Sequence, residues 1–224
     1  KNFEISIPIS LMQEGFPYDL NGQIDSSPLI IDFDQDGSLE IIFGTRLDSI
    51  HVLSDNVGDF AYYTTGDDIW SSAASADIDL DGFLDFAITS IDKNLYTFNR
   101  RISDWDDGLK FSYNADQSLI ATPSIGNIDG DDELEIVFGA YESSGNIFAI
   151  NHDGSNVEGF PVEINEKIFK GFALHDLNNN GLGDIVFATD GDDYIGICYD
   201  DGSVDTLLIA GNKFKTAPSI LKIN

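Results

Sequence analysis

The segment DFDQDGSLE, residues 32–40, occurs four times in this chain in related forms. The other copies are DIDLDGFLD at 77–85, NIDGDDELE at 127–135 and DLNNNGLGD at 176–184, so successive copies start 45, 50 and 49 residues apart. A repeat of this period is one supersecondary unit, which buries its apolar face only against a neighbouring unit. The sequence therefore predicts an array of four similar units.

Short apolar runs follow each acidic segment. In the first unit these are LEIIFGT at 39–45 and SIHVLS at 49–54, and runs rich in Ile, Val and Phe recur in the other three. Runs of this length and composition are typical of strands, and no segment has the apolar spacing of an amphipathic helix. With a weaker fourth strand after a polar turn, each unit matches one four-stranded antiparallel blade of a β-propeller. We therefore predict an all-β fold with blades at 26–70, 71–120, 121–169 and 170–215.

A partial fifth unit is expected at residues 216–224. The lead-in ATPSI at 121–125 returns as TAPSI at 216–220, and strand-like residues within 1–20 would share that unit. Two arrangements of a single domain spanning 1–224 stay open. One is a five-bladed ring closed by the terminal strands, and the other is a fragment or open arc of a larger propeller.

The composition describes a strongly acidic chain. Of 224 residues, 40 are Asp or Glu and 11 are Lys or Arg, which gives a formal net charge of −29. Such a charge repels phosphate backbones and argues against a nucleic-acid partner. There is no run of 18 apolar residues and no apolar signal segment at the start of this numbering, so no membrane span is predicted. The single cysteine, Cys198, lies in a strand-like run and is expected to be a buried, inert thiol.

The repeated segments place oxygen-bearing side chains at positions 1, 3, 5 and 9, a pattern that suits a hard cation such as Ca²⁺. Position 12, where an EF-hand needs a bidentate carboxylate, is an apolar strand residue in every copy, so an EF-hand loop is excluded. A backbone carbonyl at position 7 is expected to complete each shell. The predicted ligands, loop by loop, are Asp32, Asp34, Asp36, Ser38 and Glu40; Asp77, Asp79, Asp81, Phe83 and Asp85; Asn127, Asp129, Asp131, Glu133 and Glu135; and Asp176, Asn178, Asn180, Leu182 and Asp184.

Further features of these loops bear on how each would bind. Glycine at position 6 in the first, second and fourth loops permits the positive φ that a tight wrap needs, and Asp132 is expected to adopt it in the third. Asn178 and Asn180 lower the charge of the fourth loop, so its calcium affinity is expected to be the weakest. Asx turns without metal are the alternative, but crowded carboxylates repel unless a cation neutralises them. We predict up to four structural calcium ions.

These residues resemble the FG-GAP or VCBS-type calcium-binding β-propeller repeats, which include the integrin α-subunit head and many secreted bacterial proteins. Phe43-Gly44 and Phe138-Gly139 match the FG signature, and the DxDxDG segments that begin at Asp32 and Asp77 match the calcium loop. Gly159-Phe160-Pro161 is similar to the outer-strand segment of the secreted bacterial repeats. The resemblance implies a calcium-binding propeller that is secreted or displayed at the cell surface.

Function is less determined than fold, because propellers carry many activities. The favoured interpretation is a non-catalytic, extracellular, calcium-stabilised binding or adhesion module that contacts protein or glycan, with Trp105 as a candidate contact residue and Trp70 in the core. One alternative is the propeller of a secreted polysaccharide lyase or glycosidase, although His51, His152 and His175 share no repeat position. Another is a self-assembling surface or fibre component, since an incomplete set of repeats leaves blade edges to pair.

Overall fold

The computed structural model describes residues 18–54, 60–99, 108–191, 194–209 and 213–221. Within these ranges the chain forms sixteen strands, and no described segment is a helix long and apolar enough to cross a bilayer. Trp105 and most of the predicted N-terminal strands lie outside the described residues. The strands are β1 (Leu29–Ile31), β2 (Glu40–Thr45), β3 (Ser49–Leu53), β4 (Phe60–Thr64), β5 (Ala74–Ala76), β6 (Asp85–Thr89), β7 (Asn94–Asn99), β8 (Leu109–Asn114), β9 (Ser124–Gly126), β10 (Glu135–Gly139), β11 (Asn146–Ile150), β12 (Val162–Glu163), β13 (Ala173–His175), β14 (Asp184–Ala188), β15 (Tyr194–Cys198) and β16 (Val204–Ile209).

Four antiparallel sheets divide these strands in chain order, four to a sheet. The first blade is β1–β4, the second β5–β8, the third β9–β12 and the fourth β13–β16. Each sheet matches one sequence repeat, which confirms the predicted four-stranded antiparallel blades. The fourth strand of a blade is the least regular. β12 has only two residues, and register shifts interrupt the pairing of β7 with β8 and of β15 with β16.

The blades pack face to face, because alternate residues of each middle strand point to opposite neighbours. In the second blade Phe86 and Ile88 join a core with the first blade, whereas Ala87 between them joins a core with the third. The third blade repeats this division, with Phe138 facing the second blade and Val137 facing the fourth. Each fully buried Phe or Ile contributes about 1.5–3 kcal/mol. Burial on both faces explains why these strands are apolar at nearly every position rather than at every second one.

The residues that lead into a blade also tie it to the blade before. The N–H of Ile69, before the second blade, donates to the carbonyl of Thr45 in the first at 2.9 Å. Phe214, before the predicted fifth unit, donates to the carbonyl of Thr189 in the fourth blade at 3.4 Å. The residues before the predicted fifth unit therefore cross the fourth blade, in the same way as the residues before the second blade cross the first blade.

The prediction that Trp70 lies in the core is wrong. Trp70 is only half-buried, and the fully buried residue is its neighbour Ile69, which joins the core between the first and second blades. The Arg46 guanidinium lies 4.3 Å from the centre of the Trp70 ring, and the indole Nε1 donates to Asp68 at 3.3 Å. Successive residues of an extended segment point to opposite sides, so only one of the two neighbours reaches the core.

Candidate metal loops and a cationic surface

The first acidic loop, residues 32–40, is closed by its own carboxylates. The N–H of Gly37 donates to Asp32 Oδ2 at 3.2 Å, and the N–H of Phe33 donates to Glu40 Oε2 at 2.8 Å. The second bond joins the start of the loop to the first residue of β2. Gly37 adopts a φ of 92°, which explains the glycine at this position. The loop is therefore held in a tight wrap by acids that the sequence predicted as metal ligands.

The bond between positions 2 and 9 recurs in every loop, and each acceptor at position 9 is buried. Burial raises the pKa of Asp85 to about 6 and that of Glu135 to about 7, and it also raises the pKa of Glu40. Burial disfavours the charged form of an acid, and a cation held beside these carboxylates would offset that cost. The other donor and acceptor pairs are Ile78 with Asp85 at 3.2 Å, Ile128 with Glu135 at 2.5 Å and Leu177 with Asp184 at 2.7 Å.

Carboxylate oxygens converge in three loops of the described chain. In the first loop, moreover, Asp32 Oδ1 and Glu40 Oε1 are buried and have no hydrogen-bond partner. Unpaired buried carboxylate oxygens are costly, and a set of hard oxygen donors is what Ca²⁺ prefers. The residues of the first loop therefore fit a calcium ion. In these loops the groups with one oxygen from each member within 4.8 Å of the others are Asp32, Asp34 and Asp36; Asp77, Asp79 and Asp81; and Asp129, Asp131 and Glu135. A fourth such group, Asp48, Asp67 and Asp68, lies outside the repeated loops.

Position 7 has the same backbone role in all four loops. Its N–H donates to the side-chain oxygen at position 5, at distances between 2.7 and 3.1 Å. This bond fixes the turn from the loop into the strand, and the use of the position 7 carbonyl as a metal ligand stays a prediction. The four donors are Ser38, Phe83, Glu133 and Leu182.

The second loop contains a cation supplied by the protein itself. Lys110 in β8 places Nζ 2.8 Å from Asp79 Oδ2 and 3.3 Å from Asp85 Oδ2. Asn99 Nδ2 also donates to Asp81 Oδ2 at 3.3 Å. Sequence reasoning missed Lys110, because it lies 25 residues from Asp85 and outside the repeated segment.

The third loop departs from the sequence prediction at position 6. Asp132 does not adopt a positive φ, so of positions 4 and 6 only position 4 is left-handed in this loop, where Gly130 has a φ of 86°. In the first loop both positions are left-handed, Gln35 with a φ of 57° and Gly37 with one of 92°. The expectation for Asp132 is wrong because Asn127 donates its side-chain amide to the Asp131 carbonyl, which gives this loop a different turn.

In the fourth loop side-chain amides take part of the role that a cation would have. Asn178 Nδ2 donates to Asp184 Oδ1 at 3.3 Å, and Asn180 Nδ2 donates to Asp200 Oδ1 at 3.0 Å. Amide donors satisfy carboxylate oxygens without carrying a charge. The weakest calcium affinity at this loop stays a prediction, and this geometry gives it a physical reason.

A cluster of lysines lies at the ends of the strands opposite the acidic loops. Asp190 follows β14 and is buried, with Lys215 Nζ 2.8 Å and Lys213 Nζ 3.8 Å from its carboxylate oxygens. Tyr141 Oη donates to the same carboxylate at 3.0 Å. Although burial opposes it, the contacts with Lys215 and Tyr141 hold the pKa of Asp190 below its usual range.

Two further lysines extend this surface over two aromatic rings. Lys170 Nζ and Lys215 Nζ lie 4.8 and 4.2 Å from the centre of the Phe169 ring, and Lys167 Nζ lies 5.3 Å from that of Tyr141. This surface holds four of the eleven Lys and Arg residues of the chain. A positive surface therefore lies on a strongly acidic protein, and the paired lysines of 167–170 and 213–215 were the sequence signal for it. We name this set the lysine–aromatic patch: Tyr141, Lys167, Phe169, Lys170, Asp190, Lys213 and Lys215.

An open cleft of about 490 Å³ lies beside the third and fourth loops. Asp129, Glu158, Asp200 and Asp201 contribute to its lining, so its charge is negative. An anionic partner would be repelled here and attracted at the lysine–aromatic patch.

The remaining reactive side chains lie apart from one another in the described chain. His51, His152 and His175 belong to the first, third and fourth blades. Burial lowers the pKa of His51, whereas His175 is exposed. Cys198 is fully buried, as predicted, and burial raises the pKa of its thiol to about 12, which disfavours the reactive thiolate.

No protein-family model matches this sequence, and no curated protein matches it. The fold is similar to that of BBS1N in complex with ARL6DN, with a TM-score of 0.59 and 10% identity over 84% of this chain and 57% of that chain. It is also similar to BamB from Moraxella catarrhalis, with a TM-score of 0.58 and 14% identity over 89% of this chain and 56% of that chain. Both are β-propeller-like proteins, so the comparison confirms the propeller fold. This chain spans a little over half the length of each.

Proposed function

We propose that this chain is a non-catalytic, extracellular binding module whose FG-GAP or VCBS-type propeller blades are stabilised by calcium. The observation that carries the proposal is the pair of buried, unpaired oxygens of Asp32 and Glu40 in the first loop. When bound, a calcium ion would neutralise these acids and join the loop to β2. Asp34 and Asp36 would supply the other oxygens, so the ion would stabilise the blade rather than meet a substrate.

The lysine–aromatic patch is the surface that we assign to the partner. Lys213 and Lys215 have side chains 62% and 53% exposed, so their ammonium groups are accessible from solvent. Exposed cations beside Tyr141 and Phe169 suit a carboxylate-bearing protein segment or acidic glycan, because charge attracts it and the rings offer apolar contact. BBS1N in complex with ARL6DN gives one example of a propeller with a protein partner.

Thermal unfolding with calcium and with chelator tests the metal part of this proposal. At calcium concentrations near a hundred times Kd, binding should raise Tm by roughly 5–10 °C, because the ion binds only the folded loops. Magnesium at the same concentration is the control, since it demands octahedral geometry that a loop of this kind does not impose. Identical Tm values in calcium and in chelator would contradict calcium stabilisation.

Binding of two anionic polymers tests the partner surface. The double variant Lys167→Gln/Lys170→Gln should bind poly-L-glutamate or hyaluronate about tenfold more weakly, since it removes two charges from the patch. Lys93→Gln, which removes one charge outside the patch, is the control, because Lys93 pairs with the exposed Asp116 in the second blade. A loss confined to poly-L-glutamate indicates a protein partner, and one confined to hyaluronate a glycan. Equal binding by the double variant and the control would refute the assignment.

A further inference from the structure

We infer that Lys110 is the built-in counter-cation of the second acidic loop, in the position that a calcium ion would take in the first. The comparison with calcium rests on the proposed function, whereas the role of Lys110 toward Asp79 and Asp85 rests on geometry alone. The ammonium bridges Oδ2 of Asp79 at 2.8 Å and Oδ2 of Asp85 at 3.3 Å, so it joins positions 3 and 9 of the loop.

Burial distinguishes this contact from an ordinary surface ion pair. The side chain of Lys110 is 17% exposed, that of Asp79 is 21% exposed and that of Asp85 is fully buried. Lysine is almost never fully buried unless it is paired, and a pair as little exposed as this one is screened less by solvent than a surface pair. The pair Lys93 and Asp116, with side chains 45% and 94% exposed, lacks this environment.

A bulge in the second blade places Lys110 in the loop. Phe98 pairs with Leu109 and Thr97 pairs with Phe111, which leaves Lys110 as the extra residue between them. The extra residue of a bulge does not pair with the neighbouring strand, so the direction of its side chain can change. Here the Lys110 side chain points to the acidic loop. In the first blade β3 and β4 pair without a shift, so that blade inserts no residue at this level.

The first and second loops therefore differ in how their acidic charge is neutralised. In the described residues no lysine or arginine pairs with Asp32 or Glu40, whose buried oxygens Oδ1 and Oε1 lack partners, whereas Lys110 lies against Asp79 and Asp85 in the second loop. Asp85 Oδ1 still has no hydrogen-bond partner, so a divalent ion has an oxygen to bind once the ammonium is removed. Calcium at the second loop must therefore displace Lys110, and its apparent affinity there is lower than at the first loop.

The variant Lys110→Met, which keeps an unbranched side chain one atom shorter and removes its charge, tests this inference in the full chain. In chelator its Tm should fall by roughly 5–10 °C below that of the wild type, because the buried Asp85 and the half-buried Asp79 lose their cation. Lys93→Met is the control and should change Tm by no more than about 1–2 °C. Calcium should then raise the Tm of Lys110→Met more than that of the wild type, and calorimetric titration should detect an additional or tighter site.

The outcomes separate the inference from the proposed function. If Lys110→Met and Lys93→Met have the same Tm in chelator, Lys110 is not the counter-cation and the inference is overturned. If Lys110→Met loses stability but neither variant nor wild type binds calcium, the lysine bridge is supported and the calcium-stabilised scaffold is refuted. A loss in chelator that calcium reverses supports both.

Discussion

The imidazole of His51 stacks on the ring of Phe43, with ring centres 5.4 Å apart and planes 8° apart. The two residues pair across β2 and β3, and Phe138 and Phe148 pair in the same way across β10 and β11, with centres 4.9 Å apart. His51 therefore occupies a position that an aromatic hydrocarbon ring takes in the third blade. Its side chain is buried, and its Nε2 lies 3.0 Å from the Ser49 hydroxyl.

This position predicts a specific acid sensitivity. Burial lowers the pKa of His51 below the usual value of 6.5, so the unfolded chain binds the proton more tightly than the folded one. The stability that the neutral ring confers is present above about pH 6.5 and is lost as the pH falls through the lowered pKa. When the pH is lowered from about 8 to about 5, the Tm of His51→Phe should fall less than that of the wild type. The variant lacks the titrating imidazole, and all carboxylates are the same in the two proteins. Equal losses in paired thermal scans would show that His51 does not limit acid stability.

Replacement of Glu40 by glutamine should have opposite effects with and without calcium. In chelator Glu40→Gln should equal or exceed the wild type in Tm, because it removes a buried charge close to Asp34 and Asp36. In saturating calcium the variant should lose most of the stabilisation that the first loop contributes, since an amide oxygen carries no charge. The exposed Glu163→Gln, in the third blade, is the control. A Glu40→Gln protein that gains as much Tm from calcium as the wild type would remove Glu40 from the metal site.

Truncation of Phe138 should destabilise the interface between the second and third blades. Phe138 is fully buried, stacks on Phe148 and meets the edge of Tyr113 at 5.6 Å between ring centres. Phe138→Ala should lower the free energy of unfolding by about 3–5 kcal/mol, because it leaves a large cavity in a core that cannot collapse fully. Leu207→Ala, at a side chain 56% exposed, should change it by less than about 0.5 kcal/mol. Urea unfolding measures both, and a small effect at Phe138 would contradict the assigned packing.

Gly196 should not tolerate a side chain, because it lies under the ring of Phe187. The two residues pair across β14 and β15, and a Cβ added at Gly196 would lie 2.4 Å from the Phe187 ring. Gly196→Ala should cost about 1–3 kcal/mol of stability through overpacking. The paired residue on the other side is Thr206, which is exposed, and Thr206→Ala serves as the control in the same urea titration. A neutral Gly196→Ala would mean that the fourth blade can shift to accept the methyl group.

The blades and the acidic loops could be predicted from the sequence because both depend on contacts between residues that are close along the chain. Residues 32–40 close on themselves through the bond from Phe33 to Glu40, and the strand that follows begins at Glu40 itself. The same nine positions recur at the period of one blade, so the pattern gave the fold class and most of the candidate ligands. Ring closure and calcium occupancy stay predictions.

Other features depend on contacts between distant parts of the chain, which no local pattern encodes. The choice of Ile69 rather than Trp70 for the core depends on how the second lead-in crosses the first blade. The meeting of Lys110 with Asp85 depends on a bulge in β8, and the contact of Tyr141 with Asp190 joins residues 49 positions apart. The sequence by itself determined the repeated unit and its oxygen-rich loop, because hydrogen bonds within nine residues close the loop and pairing between consecutive strands forms the unit. Only the tertiary structure decided which charges face each other, because blade packing brings those side chains together.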